Sequence, residues 1–115
     1  MCIRDSDRFA LEILGADELK EFFSRRATLH SRGERYLATR FSAKESFSKA
    51  IRTGLRGPMS WHGWEILKQP SGCPQIVLHG ELAAWFTAQR LKAHVTLTDE
   101  SDYVATFVVV ECLRG

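Results

Sequence analysis

The 115-residue sequence has no long hydrophobic run and no strong excess of charge of one sign. Its most apolar stretch, residues 105–110, has only the length of a strand and contains Thr106, so it is too short to cross a membrane. A net charge of +2 is too small to indicate nucleic-acid binding by itself. Residues 1–9 lack the apolar segment of a secretory signal, so we expect no export.

Cysteine and histidine are also scarce, with three and four residues respectively, and neither set is spaced as a metal site. An odd number of cysteines without C-x-x-C spacing argues against a disulfide framework and a zinc cage, and favours the reducing cytoplasm. The sequence contains no H-E-x-x-H or G-x-S-x-G motif, no Walker-type loop and no dinucleotide fingerprint. These absences argue against zinc proteases, serine hydrolases of that motif and the two common nucleotide-binding folds.

The hydrophobic pattern mixes helices with antiparallel strands, which predicts a single α+β domain. The longest helix is expected to begin at a capping box made by Ser31 and Glu34. The predicted helices are residues 16–24, 31–52 and 80–90. The predicted strands are residues 64–68, 75–79, 95–98 and 103–111.

The predicted long helix is apolar on two sides. One stripe consists of Tyr36, Ala43, Phe47 and Ala50. Phe41 and Ala38 lie on the other side, close to Glu45 and Lys49. A solvated face rarely carries a phenylalanine one turn before a charge pair, so we expect another element or another subunit to cover this side.

Glu45 and Lys49 are four residues apart, so their side chains share one face of that helix. Such a carboxylate and ammonium can hold a hard metal ion and a phosphate together, or they can form an ordinary surface ion pair. Arg40 and Lys44, by the same spacing, are either phosphate ligands or solvated side chains. Gly54 is either a helix terminator or part of a phosphate site, and spacing alone does not choose between these interpretations.

Three segments occur in a characteristic order: R-F-S-A-K-E-S-F-S-K-A-I-R-T-G at residues 40–54, S-G-C-P at 71–74 and H-V-T-L-T-D-E at 94–100. Together with the intervening W-E-I, they resemble the bacterial holo-[acyl-carrier-protein] synthases, which are small single-domain phosphopantetheinyl transferases. The resemblance extends from about Asp7 to Glu111, and its most specific part is R-F-x-x-K-E-x-x-x-K-A followed by T-G.

This resemblance implies the 4'-phosphopantetheinyl transferase fold, with a long central helix packed on a small antiparallel sheet. It implies a cytoplasmic, magnesium-dependent enzyme of fatty acid biosynthesis and lipid metabolism. The reaction transfers 4'-phosphopantetheine from coenzyme A to a serine of apo acyl carrier protein and releases adenosine 3',5'-bisphosphate. The family forms homotrimers whose neighbouring subunits share each active site, and we expect neither nucleic acid nor a membrane as a partner.

The resemblance also assigns site residues. Glu45 matches the metal-binding glutamate and Lys49 matches the lysine beside the reacting phosphate, so we expect both to be catalytic. Magnesium takes oxygen ligands and can bridge phosphoryl oxygens, which suits a carboxylate with a cation one turn away. The positions expected to line coenzyme A are Arg40, Lys44, Thr53, Gly54, Pro74 and Asp99.

Two segments depart from the family pattern. The family opens with a G-x-D-[IVL] strand whose aspartate is the second metal ligand, and neither Asp5 nor Asp7 takes that position. We therefore divide the chain into an unmatched segment, residues 1–6, and an N-terminally truncated transferase domain, residues 7–115. Cys73 stands where the family has the lysine of a G-K-P turn, which removes one phosphate contact.

Two alternatives to a transferase remain open at this point. A module that binds coenzyme A or a nucleotide without transferring a group would keep Arg40, Lys44 and Gly54. It would lack a competent metal site because the N-terminal aspartate is missing. A structural oligomerisation domain would use Glu45 and Lys49 only as an ion pair.

Overall fold

A computed structural model of the chain describes residues 3–51, 61–99 and 104–113, with only the backbone described at residues 3, 4, 99 and 104. Three helices come first, and two β-hairpins flank a fourth helix. The elements are α1 (Ile3–Ile13), α2 (Ala16–Thr28), α3 (His30–Ala50), β1 (Trp64–Lys68), β2 (Pro74–Leu78), α4 (Gly80–Gln89), β3 (Leu91–Asp99) and β4 (Val104–Cys112).

The 21-residue helix α3 is the centre of the domain. At 1.5 Å per residue it is about 32 Å long, and it packs against α2 on one side and β4 on another. Phe47 lies in the main core, where its ring centroid is 4.2 Å from that of Trp64 and 5.6 Å from that of Phe86. This core therefore joins α3 to the first hairpin and to α4.

A second buried cluster joins α1, α2 and the first half of α3. Its members are Ala10, Ile13, Leu14, Phe22, Tyr36 and Leu37. Phe41 packs beside this cluster, with its ring centroid 5.0 Å from Phe9 and 5.8 Å from Trp61. Helix α1 and the residues before β1 therefore cover the side of α3 that carries Phe41.

The strands form two separate antiparallel hairpins, β1–β2 and β3–β4. In the first hairpin Lys68 pairs with Pro74, and in the second Thr96 pairs with Phe107. Along β4 exposure alternates: Val108 and Val110 pack toward the core, while Phe107 and Val109 face outward. The second hairpin therefore has one apolar face against the domain and a second, exposed face.

The predicted α+β class, the central helix and the antiparallel pairing of the strands are confirmed, with the strands in two small two-stranded sheets. The capping box at Ser31 is wrong, because the carbonyl of Leu29 already accepts the N–H of Arg32 at 3.0 Å and α3 begins at His30. Ala50, assigned to the apolar stripe, is exposed at the end of the helix.

Helix α1 was not predicted from the sequence, and the division proposed after residue 6 lies inside it. Helix α2 continues four residues beyond the predicted end at Ser24, and β3 begins four residues before Val95. Within the described ranges, none of the four helices combines the length and hydropathy that crossing a membrane requires.

Candidate functional site

Glu45 and Lys49 lie one turn apart on α3 and are both exposed. Neither side chain makes a hydrogen bond or ion pair with another described residue, including with each other. The helix itself is fixed on the neighbouring face, where Ser42 Oγ lies 2.8 Å from Thr106 Oγ1 of β4. We call these two residues the Glu45–Lys49 patch: a carboxylate and an ammonium free for a ligand, on a backbone held by packing.

The carboxylate of Glu45 suits a hard cation because no described residue occupies its oxygens. Magnesium is commonly bound by one or two carboxylates together with water and substrate phosphates. Among residues 3–51, 61–99 and 104–113 no group of three acidic, histidine or cysteine side chains could form a complete cage. The patch therefore fits a magnesium ion completed by substrate oxygens and water.

A separate cavity of about 290 Å³ opens between the α2–α3 pair and the two hairpins. Three of its lining side chains are cations and none is a carboxylate. The lining residues are Arg25, Arg40, Lys68, Gly72, Pro74, Val95, Thr96 and Leu97. We call it the basic pocket; its charge and size suit a phosphate-bearing ligand.

Arg40 is held rigidly at the wall of the basic pocket. Its guanidinium lies 4.0 Å from the centroid of the Tyr36 ring and donates to Thr39 Oγ1 and to the carbonyl of Ile66. Its Nε has no hydrogen-bond partner among the described residues. Burial lowers the pKa of Arg40, although Tyr36 partly offsets this effect, and burial raises the pKa of Tyr36 to about 12. Both groups keep their ordinary protonation at neutral pH.

Lys44 lies in neither the patch nor the pocket, although it is adjacent to Glu45 in sequence. Its ammonium is fully buried and donates to the carbonyl of Ile13 at 2.7 Å, to Glu18 Oε1 at 2.8 Å and to the carbonyl of Trp61 at 2.7 Å. A lysine has three N–H donors, so none is left for a phosphate. Burial lowers the pKa of Lys44, and the Glu18 carboxylate opposes that effect.

The hydrogen bonds of Lys44 extend from Glu18 to Glu65 and from Glu65 to His79. The backbone N–H of Glu18 donates to Glu65 Oε2 at 2.9 Å, and the other oxygen of Glu65 lies 2.8 Å from His79 Nε2. Burial would raise the pKa of Glu65, but the N–H groups of Glu18 and Asp17 together with His79 hold it below its usual value. We call Lys44, Glu18, Glu65 and His79 the Lys44 network.

The structure thus brings the residues assigned from the sequence into separate groups. Arg40 and Pro74 meet in the basic pocket, and Glu45 and Lys49 form the patch. Arg40 precedes Glu45 by five residues, which places their side chains about 140° apart around the helix axis. The pocket and the patch therefore face different sides of α3.

Two of the predicted positions, Thr53 and Gly54, lie outside the described residues. Asp99 pairs through its backbone with Val104 at the end of β3, and its side chain is not described. These three assignments stay predictions.

Sequence reasoning missed two cations of the basic pocket, Arg25 and Lys68. Lys68 had a usable signal, because it ends the predicted strand just before the turn that carries Pro74, and a hairpin turning at residues 69–73 places the two residues opposite each other. Arg25 had none, because its approach to the pocket depends on how α2 packs against α3. The buried role of Glu18 also had no local signal, since its partner Lys44 is 26 residues away.

Comparison with known proteins identifies the family of the chain. The family model of the 4'-phosphopantetheinyl transferase superfamily matches residues 2–108. The holo-[acyl-carrier-protein] synthase of Methylibium petroleiphilum is 61% identical over 108 residues, which cover 94% of this chain and 82% of the relative.

Two solved structures are similar in fold and in sequence. The holo-[acyl-carrier-protein] synthase of Neisseria meningitidis has a TM-score of 0.76 and 36% identity, over 90% of this chain and 80% of its own. The ACPS–CoA complex of Chronobacterium ammoniagenes has a TM-score of 0.70 and 25% identity, over the same shares. The chain therefore belongs to the 4'-phosphopantetheinyl transferase superfamily, among its holo-[acyl-carrier-protein] synthases.

Proposed function

We propose that this protein transfers the 4'-phosphopantetheine group of coenzyme A to a serine hydroxyl of an apo acyl carrier protein. The serine oxygen forms a bond to the phosphorus that carries pantetheine, and the bond from that phosphorus to the bridging oxygen breaks. The serine proton passes to water, and adenosine 3',5'-bisphosphate leaves with the bridging oxygen. The free, exposed Glu45–Lys49 patch within the family motif is the observation that carries this proposal.

The two residues of the patch have complementary roles. Glu45 would bind Mg²⁺, which when bound neutralises charge on the phosphoryl oxygens. Lys49 presents an ammonium one turn away, where negative charge grows on the phosphoryl group as the bridging bond breaks. Because neither side chain is engaged by another described residue, neither has a bond to break before it meets the diphosphate.

The basic pocket would bind the nucleotide end of coenzyme A. Arg40 and Pro74, assigned from the sequence, line it together with Arg25 and Lys68. Lys68 lies directly across the hairpin from Pro74, close to the position where Cys73 replaces the family lysine. We propose that Lys68 supplies a positive charge near that position. Thr53, Gly54 and Asp99 remain proposed contacts, whereas Lys44 is not proposed as a ligand.

We also propose a homotrimer in which the pocket of one subunit meets the patch of another. This arrangement would join two groups that lie on different sides of α3 in a single chain. The exposed face of β3–β4 supports it, because Phe107 is 66% exposed and pairs with Thr96, which lines the basic pocket. Exposed apolar side chains such as Phe107 and Val109 beside the pocket fit a subunit contact.

The assembly can be tested with Phe107→Asp. A carboxylate on this face should yield monomers by light scattering and abolish transfer, while far-UV circular dichroism stays unchanged. Phe23→Asp, on another exposed aromatic, is the matched control. A Phe107→Asp protein that remains trimeric and active would remove this face from the proposal.

The reaction can be tested by the mass of an apo acyl carrier protein after incubation with the enzyme, coenzyme A and Mg²⁺. We expect a gain of one phosphopantetheine, loss of the gain when a chelator is added, and release of adenosine 3',5'-bisphosphate. Thermal stabilisation by coenzyme A without any mass gain would instead favour the nucleotide-binding module, which no comparison supports. The proposal includes the location and pathway that the family implies, cytoplasmic fatty acid biosynthesis.

A further inference from the structure

We infer that Glu18 is a positioning residue for the transfer: it acts through Lys44 to fix the part of α3 that presents Glu45. This inference rests on the proposed function of the Glu45–Lys49 patch. Glu18 and Lys44 are both fully buried, and no part of either side chain reaches the patch or the solvent. Their effect on the reaction can therefore only be transmitted through the backbone.

Glu45 depends on that backbone for its position. Its carboxylate has no hydrogen bond to another described residue, so the rotation and height of α3 determine where it points. Lys44 precedes it directly, and its ammonium is bonded to the end of α1 at Ile13, to α2 at Glu18 and to the segment before β1 at Trp61. A rotation of α3 that moved Glu45 would strain all three bonds.

Glu18 is itself held on every side. Its Oε1 accepts the N–H of Gly15 at 3.0 Å as well as the Lys44 ammonium, and its Oε2 accepts the N–H of Ile66 at 2.8 Å. Its own N–H donates to Glu65. A carboxylate with all these partners has one position, which is what an anchor for a neighbouring segment requires.

The same anchor reaches the basic pocket. Ile66 donates its N–H to Glu18 and accepts an N–H of Arg40 with its carbonyl at 3.4 Å. One residue of β1 therefore links Glu18 to Arg40, and Lys44 links Glu18 to Glu45. Glu18 therefore anchors both the patch and the pocket wall of its own chain, each of which meets its counterpart on a neighbouring subunit in the proposed trimer.

Stability alone gives a weak reason for this buried ion pair. Replacing a buried pair by apolar groups of similar volume is often neutral or stabilising, because both charges lose their hydration. We expect the buried pair instead to fix the position of the reactive carboxylate that lies beside it in the chain. The inference is testable because it predicts that loss of the pair lowers the rate of transfer beyond any effect on stability.

The test compares Glu18→Gln and the double variant Glu18→Gln/Lys44→Met with Glu12→Gln, an exposed glutamate of α1. The double variant leaves no buried charge uncompensated, so it should fold even if Glu18→Gln does not. We expect it to remain folded at the assay temperature but to melt below the wild type, because the carbonyls of Ile13 and Trp61 lose their donor. Its kcat should fall on the order of 10²-fold, because a small displacement of a reacting group has that effect. KM for coenzyme A should change little.

Hydrogen exchange of the backbone over residues 42–49 gives a readout independent of activity. In the double variant these amides should exchange faster than in the wild type, and Glu12→Gln should match the wild type in both measurements. A stable double variant with wild-type kcat and wild-type exchange would overturn the inference. If the wild type itself transferred nothing, the proposed function would fail, while the exchange result would still report on the anchor.

Discussion

Lys44 and Glu45 are neighbours in the chain and opposites in their surroundings. Lys44 is fully buried, and all three of its N–H donors are bonded to protein acceptors. Glu45 is exposed, and its carboxylate is bonded to no other described residue. The side chains of Lys44 and Glu45 leave the helix about 100° apart around its axis. The charge of Lys44 is therefore bonded inside the protein, whereas that of Glu45 is available to a ligand.

The difference teaches how to read charged residues in a family motif. A buried charge whose bonding capacity is exhausted serves the structure, since a ligand would have to displace its partners at a cost of several kcal/mol. An exposed charge without a partner loses only water when it binds a ligand. Arg40 is intermediate: it is buried at the pocket wall, with two hydrogen bonds made and Nε still unpaired.

Removing the ammonium of the Glu45–Lys49 patch should have the largest effect on activity. We expect Lys49→Ala to lower kcat by about 10²- to 10³-fold, because it removes a cation that stabilises developing phosphoryl charge. Its melting temperature should remain that of the wild type, since the side chain is exposed. Lys20→Ala, an exposed lysine of α2, is the control, and equal activity of the two variants would contradict the role of Lys49.

Disturbing the buried part of the Lys44 network should lower the free energy of unfolding. In Gly15→Ala the new Cβ would lie 2.5 Å from Glu65 Cδ, so Glu65 must leave the N-terminus of α2. We expect a loss of about 1–3 kcal/mol, measured by urea unfolding. Gly80→Ala is the control: no atom lies within 4 Å of its Cβ, and only its φ of +51° opposes the change. A Gly15→Ala protein that is more stable than Gly80→Ala would show that the packing around Glu65 is loose.

A cation of the basic pocket should affect binding without affecting chemistry. Lys68→Ala should raise KM for coenzyme A by about two- to fivefold and leave kcat unchanged, because an exposed charge contributes only modestly. Lys68→Arg keeps the charge and should restore KM. A fall in kcat with constant KM would place Lys68 in the reacting part of the site instead.

The smallest effect should be a dependence of stability on pH. Hydrogen bonds hold the pKa of Glu65 below its usual value of 4.5, so near that pH the unfolded chain binds more protons than the folded one. This contribution is fully present above pH 4.5 and is lost as pH falls through the lower, folded-state pKa. Urea unfolding below pH 4.5 should show a weaker pH dependence for Glu65→Gln than for the wild type. Identical slopes would mean that the Glu65 contacts contribute nothing to folding.

Much of the fold could be predicted from local patterns. Strand β1 has the predicted bounds, and α4 ends within one residue of its prediction, because alternation and helical periodicity are local properties. Helix α1 could also have been found, since Ser6, Ala10 and Ile13 are its buried positions and lie three and four residues apart. It was missed because the motifs that carry the resemblance begin only at about Asp7, whereas the family model matches residues 2–108.

The candidate site was only partly predictable. Arg40 and Pro74, both assigned from the family resemblance, line one pocket, and their role there stays a prediction. Spacing could not show that Lys44 is buried while Glu45 is exposed. Which of two adjacent charges turns inward depends on Glu18 and on the carbonyl groups of Ile13 and Trp61. Those partners come from other segments, and only the tertiary packing brings them to Lys44.

The single-turnover rate of phosphopantetheine transfer by Glu45→Gln, measured from the mass of the carrier protein, tests the central claim most directly. The substitution keeps the size of the side chain and removes the charge that the open patch offers to a cation. We expect a protein with the wild-type melting temperature whose rate is lower by at least about 10²-fold. A rate equal to that of the wild type would contradict the assignment of this carboxylate to the reaction.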